Sequence, residues 1–177
     1  VPQSVIFNNP FWGNNMTTST GAYLAASYGQ VKAMGDKSVS SDAMFVIQGF
    51  EHLRLLCKQF PWPTLSPGGE IAIATPMGGE AWQPQQLKVN QQGQVTFYET
   101  VRGDIEQFIE EVSKQGSRFN AEVYEGTLEK HHRGVRIVDC FLQFDNPDRD
   151  WENRSTATTV SGTLFFHYFG DKIPGNI

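Results

Sequence analysis

The spacing of apolar residues changes several times along the chain, and each change marks an element. Val5-Ile6-Phe7, followed by Asn8-Asn9-Pro10, Gly13-Asn14-Asn15 and a Thr/Ser-rich run, reads as a strand and a long loop before a second element near Tyr23-Leu24-Ala25-Ala26. Phe7, Phe11, Trp12 and Tyr23 are too aromatic for a solvated tail. Residues 1–39 are therefore expected to act as an arm reaching a neighbour or as a loop covering the chain's own core. Ser40-Ser41-Asp42 offers capping side chains ahead of Ala43, and Val46, Phe50, Leu53 and Cys57 recur at helical spacing. That pattern predicts a helix over 43–59, ended by Phe60-Pro61-Trp62-Pro63.

Beyond the prolines the chain reads as strands. Glu70 to Ala74 is a strand candidate, and Pro76-Met77-Gly78-Gly79 opens a loop that runs through Trp82-Gln83-Pro84. Leu87–Asn90 and Val95–Glu99 read as a hairpin turned by Gln91-Gln92-Gly93. A short amphipathic helix follows: Asp104 and Gln107 form a capping-box pattern, Ile105, Phe108, Ile109 and Val112 make one apolar stripe, and Gly116 ends it. Phe119, Ala121 and Val123 then alternate with Asn120, Glu122 and Tyr124, as in a half-exposed strand. In Val135–Phe144 both parities are apolar around Asp139, which predicts a strand covered on both faces. A charged turn from Asp145 to Arg154 leads into a β-prone run, Ser155 to Phe169, again aromatic on both sides near its end.

Composition narrows the class. The 177 residues, 39% hydrophobic and 12% aromatic, suffice for the packed core of one domain, and the 17 glycines and 9 prolines suit many turns in a mainly β architecture. The 14 basic residues against 19 acidic ones leave a net charge of -5, with no basic arm or tail, which argues against gripping a polyanion by neutralising its phosphates. No run approaches the roughly 20 apolar residues of a bilayer span, and Val1-Pro2-Gln3-Ser4 lacks a leader pattern, so synthesis in the cytosol is expected.

Catalytic signatures are sparse. Cys57 and Cys140 sit in apolar runs without metal-like spacing and read as buried thiols. Adjacent His131 and His132, with Glu129 and Asp139 nearby, would point to opposite faces of an extended chain, and a solvated loop is the expectation there. Glycine-loop, zincin and nucleophile-elbow motifs are missing from the sequence. The reading is a protein that is not an enzyme and takes no cofactor.

Three stretches together are more specific. They are Pro76-Met77-Gly78-Gly79 with Trp82-Gln83-Pro84-Gln85-Gln86, Gln92 to Thr100, and Asp148-Arg149-Asp150-Trp151-Glu152-Asn153-Arg154 running into Ser161 to Gly170. Over about residues 70–170 the chain resembles tail tube proteins of contractile-tailed bacteriophages. The resemblance implies an α+β, mainly β fold: a β-sandwich or rolled antiparallel sheet flanked by a short helix, with sheets joining into a ring-shaped barrel on oligomerisation. It further implies a virion protein assembled in the host cytoplasm. Its hexameric rings would stack into an inner tube that conducts DNA, with a tail sheath protein, baseplate and tape-measure proteins as partners. A baseplate ring that initiates the tube and a secretion-needle subunit of the same fold are alternatives. A monomeric carbohydrate- or peptide-binding sandwich, stacking ligands on Trp12, Trp62, Trp82 and Trp151, is a reading from another class.

On this basis the candidate subunit contacts are the hairpin tip at Gln91 and Gln92, the loop residues Asp148, Arg149, Asp150 and Trp151, and Phe166 in the aromatic run. Candidate lumen-facing acids are Glu70, Glu99 and Glu122.

Overall fold

The computed structural model describes residues 20–177. The expected strand at Val5–Phe7 and the aromatic positions Phe11 and Trp12 lie outside the described residues. The chain divides into two units, residues 1–39 and 40–177. In the first, α1 (Gly21–Ala33) starts at Thr20, whose hydroxyl accepts from the Tyr23 amide at 3.3 Å. None of its residues is buried.

The second unit is mainly β. An antiparallel sheet runs in the order β1-β6-β7-β8-β5-β2, from β1 (Met44–Ile47), β2 (Cys57–Gln59), β5 (Asn90–Tyr98), β6 (Phe119–Gly126), β7 (His131–Phe144) and β8 (Thr159–His167). The short β9 (Lys172–Pro174) joins the first part of β7, and β3 (Glu70–Ala74) with β4 (Glu80–Pro84) forms a separate two-stranded hairpin. One helix, α2 (Asp104–Lys114), packs Ile105, Phe108 and Val112 into the core, as its apolar stripe predicts. Phe45, Ile47, Val123 and Ile137 from one half of the sheet share a single hydrophobic cluster with Phe97, Val160, Leu164 and Phe166 from the other. The sheet is thus rolled around its core, and α2 is fixed to it by edge-on rings such as Phe108 against Phe50, at 4.9 Å.

A bulge in β7 makes the roll. Up to Ile137 the buried side chains, those of His131, Val135 and Ile137, have odd numbers; Asp139 then takes φ 48°, the register to β8 slips between Val138 and Phe141, and Cys140, Leu142 and Phe144 turn inward instead. The apolar residues of both parities therefore face mostly one core. The two-sided covering expected for 135–144 is replaced by one face whose phase shifts. The same strand serves both halves of the sheet, pairing with β6 from His131 to Cys140 and with β8 from Val138 to Phe144.

Five other expectations change. The segment 43–59 is not a helix: Met44–Ile47 pairs with Ala121–Tyr124, Gly49 bends the chain at φ 85°, a 3-10 turn occupies Glu51–Leu55, and β2 follows. The β-prone Phe45-Val46-Ile47 finds a strand partner, and that pairing overrides a helical spacing that arose by coincidence. Gln91-Gln92-Gly93 is not a hairpin tip but the middle of β5, in continuous register with β8 from Asn90↔His167 to Tyr98↔Thr159. Gly93 is small because Pro61 lies against it, where a Cβ would collide with the proline ring. The true hairpin lies earlier, since Trp82-Gln83-Pro84 belongs to β4 rather than to a loop. His131 and His132 stand in β7 on opposite faces, not in a solvated loop; His131 is buried against Tyr124. The C-terminal strand is shorter than its β-prone run, because 145–158 stays a loop and β8 starts at Thr159.

Candidate assembly interface

Glu99 and Thr100 precede α2 and hold its first turn. The helix begins at Asp104 after Gly103, which turns the chain at φ 76° and, having no side chain, supplies no cap of its own. Glu99 instead accepts from the Ile105 amide at 3.1 Å and the Glu106 amide at 3.2 Å, and the Thr100 hydroxyl accepts from the Asp104 amide at 3.2 Å. The expected Asp104–Gln107 capping box is replaced by this arrangement; Gln107 donates to the Arg102 carbonyl at 3.3 Å. The Thr100 hydroxyl, donating at 2.7 Å, is the main reason the Asp104 carboxyl is held below the usual range. Glu99→Ala should lower stability by about 1–2 kcal/mol, since it strips acceptors from helix N-terminal amides. Thermal melts of the two proteins, compared at neutral pH, would test this; equal midpoints would count against the cap.

The other two candidate acids also have local partners or positions. Glu122 on β6 accepts from Arg136 Nε at 3.1 Å and from the Tyr124 hydroxyl, and burial, helped by this bond, pushes the Tyr124 hydroxyl up to about 12. Glu70 starts β3, on the separate hairpin. The structure does not gather Glu70, Glu99 and Glu122 on one face.

The candidate contact residues divide likewise. Gln91 turns inward and braces the proline segment, donating to the Thr64 carbonyl at 2.6 Å and accepting from the Thr64 amide at 3.4 Å. Gln92 is exposed on the outer face, opposite Phe165 in β8. Phe166 is a core residue, 2% exposed, and not a surface contact; the alternation of β8 sends its neighbour Phe165 outward. Asp148, Arg149, Asp150 and Trp151 lie in the β7–β8 loop, where Asp150 accepts from the Glu152 amide at 3.0 Å and Arg149 donates to Thr158 at 3.2 Å. Trp151 is 97% exposed. Gln92 and this loop occupy opposite ends of the β5–β8 pair, because Gln92 faces the end of β8 and the loop precedes its start.

Three surfaces escaped the sequence reading. The first is the β3–β4 hairpin, whose two strands are exposed throughout, with Ile71 and Ile73 on one face and Trp82 on the other. The second is the outer face of β7-β8-β5. There Gln92, Gln94 and Thr96 stand beside Ser161, Thr163 and Phe165, with Gln143 and Phe141 next in line. Phe141 and Phe165 stack at 4.8 Å, and these outward side chains carry no formal charge; Lys58 of β2 borders them, over the Tyr98 ring. The third is a groove of about 640 Å³ between residues 62–65 and β9.

Open backbone edges accompany these surfaces. β2 covers β5 only at Thr96 and Phe97, so among the described residues no strand pairs with β5 over Gln92–Gln94 on the side away from β8. β7 is likewise unpaired over Phe141–Phe144 on the side away from β8, because its pairing with β6 ends at Cys140. Neither stretch contains a lysine or a proline, although the β7 bulge stands just before Phe141 and Pro61 lies against Gly93. As for chemistry, burial pushes the Cys57 and Cys140 thiols up to about 12. Among the described residues no three His, Cys, Asp or Glu converge as metal ligands.

No protein-family model matches the chain, and no curated protein matches it in sequence. Solved structures do match in fold. A chain of the six-fold symmetrised cryo-EM structure of the anti-feeding prophage baseplate is 10% identical, with a TM-score of 0.55 over 81% of this chain and 100% of that one. A chain of the anti-feeding prophage cap, the tube terminating cap, is 11% identical, with a TM-score of 0.52 over 75% and 89%. A chain of the sheath-tube complex of an extracellular contractile injection system is 13% identical, with a TM-score of 0.49 over 78% and 92%. The chain therefore shares its mainly β fold with chains solved in the anti-feeding prophage cap and baseplate.

Proposed function

We propose that this chain is a structural subunit that assembles with copies of itself into hexameric rings, stacked as the inner tube of a contractile tail. In that role a sheath surrounds it, baseplate and tape-measure proteins meet it, and the rings enclose a conduit through which a virion's DNA leaves. The observation that carries the reading is the β3–β4 hairpin, which buries none of its strand residues and yet presents Ile71, Ile73 and Trp82. A lone two-stranded hairpin is marginal in water and needs a surface to cover it.

The open edges at Gln92–Gln94 and Phe141–Phe144 support the same reading, since a ring in which each copy covers the next copy's edge leaves none exposed. The outer face of β7-β8-β5 suits a lumen better than the three candidate acids. Its amides, hydroxyls and stacked Phe141 and Phe165 carry no formal charge, with Lys58 only at its border, so the face itself offers a polyanion neither phosphate-binding cations nor a repelling field. A second reading, a cap or baseplate ring, is favoured by two solved chains of similar fold with TM-scores above 0.5, one from a cap structure and one from a baseplate structure.

Negative-stain microscopy across a concentration series, with mass from light scattering, tests both. Six-membered rings that lengthen into hollow tubes are the expected result. Single or double rings that never lengthen would move the assignment to the cap or baseplate. A monomer at every concentration would overturn self-assembly.

A further inference from the structure

The groove beside β9 has a chemistry that matches one part of the chain. Trp62, Leu65, Val135 and Tyr168 give it apolar walls, and its charged lining residues are Arg133 and Lys172, both cations. The Arg133 guanidinium lies 5.3 Å from the Trp62 ring centroid and is held by Glu125, so an aromatic and a cation are already set side by side. Lys172 has no carboxylate partner among the described residues.

The β7–β8 loop is its complement. Residues 145–154 carry Asp145, Asp148, Asp150 and Glu152 against Arg149 and Arg154, and Trp151 projects from among them almost wholly exposed. An exposed tryptophan in a loop with four acids against two arginines complements an apolar groove whose cations are Lys172 and the Glu125-paired Arg133. The loop cannot reach the groove of its own chain. It enters β8 at Thr159, whereas Tyr168, Arg133 and β9 lie at the other end of the same strands; β8 alone spans 9 residues, about 30 Å at the usual rise.

We infer that the Trp151 loop of one copy docks into the Trp62–Arg133–Lys172 groove of a second copy. The contact is head-to-tail along the strand direction, so it joins copies end to end rather than closing a pair, and each docked copy still presents a free loop and a free groove. This rests on the self-assembly reading above and assigns its axial contact, with Trp151 as the anchor and the acids around it fixing orientation.

Sedimentation velocity and negative-stain microscopy of the full chain test it, with circular dichroism as the check on folding. Trp151→Ala and Lys172→Glu are each expected to keep the wild-type spectrum and the mass of a single ring, while the concentration needed for stacking rises about tenfold or more. Adding Asp148→Lys to Lys172→Glu is expected to recover part of that loss, because it restores opposite charges across the junction. Stacking at wild-type concentrations in both single variants, or a combined variant no better than Lys172→Glu alone, would overturn the docking while leaving self-assembly intact. A wild-type chain that forms neither rings nor stacks would overturn the self-assembly reading, and the docking with it.

Discussion

Phe166→Asp is expected to leave no folded protein, whereas Phe165→Asp, one position earlier, is expected to fold. Phe166 is 2% exposed and sits in the cluster that joins both halves of the rolled sheet. Removing a buried phenylalanine costs about 3–5 kcal/mol, and an unpaired carboxylate in its place adds several more. That sum rivals the roughly 5–15 kcal/mol that holds a typical domain together. Phe165 points to the outer face and is half-buried by its stack on Phe141 at 4.8 Å. Losing that stack costs about 0.5–1.5 kcal/mol, a fall of a few degrees in melting temperature. Far-UV dichroism and thermal melts of the two variants decide the matter. A folded Phe166→Asp protein would refute the inward assignment of this strand face.

The second large effect concerns assembly and leaves folding alone. Ile71→Lys with Ile73→Lys is expected to change the stability of the isolated chain by no more than about 0.5 kcal/mol, since both positions are already wet, at 41% and 43% exposure. The same pair is expected to abolish rings and tubes, because a hairpin face buried against another copy would then hold two unpaired ammonium groups. Trp82→Ala probes the opposite face of the hairpin, where the side chain stands 69% exposed across from Ala72. Comparing sedimentation profiles with melting curves separates the two effects. Wild-type assembly in the double lysine variant would remove the hairpin from any interface. Because the hairpin and the Trp151 loop belong to separate parts of the chain, single rings lost in one variant and stacking lost in the other would assign the two contacts independently.

Elements whose partners lie nearby in sequence were legible. The stripe of Ile105, Phe108, Ile109 and Val112 with Gly116 beyond it located α2. The alternation of Phe119, Ala121 and Val123 gave the correct inward face of β6, whereas the run ending β8, aromatic on both sides, left open which parity faces the core, and the structure buries Val160, Leu164 and Phe166. Errors arose where a distant segment chose between local options. Phe45-Val46-Ile47 suits a strand or a helix until Ala121–Tyr124 pairs with it. Gln91-Gln92-Gly93 has the composition of a turn, yet nine residues of β8 hold it extended and Pro61 occupies the space beside Gly93. The helix cap came from Glu99, which stands six residues before the amide it binds at Ile105, outside the span of a capping-box pattern.

The candidate site divides along the same line. The charge density of Asp145–Arg154 was enough to mark a loop, and Trp151 within it was nameable from sequence, because turn chemistry and solvation are local properties. Its complementary groove was not, since Trp62, Arg133, Tyr168 and Lys172 come from four segments that meet only when the sheet rolls. Composition and periodicity thus determined a mainly β domain with one amphipathic helix, low positive charge and no local catalytic motif. Tertiary structure decided which of two parities faces the core at Asp139, which edges stay open and which apolar residues remain in water. The reason is physical: periodicity encodes how a segment divides its own faces, whereas a bulge, an edge or a groove exists only in relation to a strand from elsewhere in the chain.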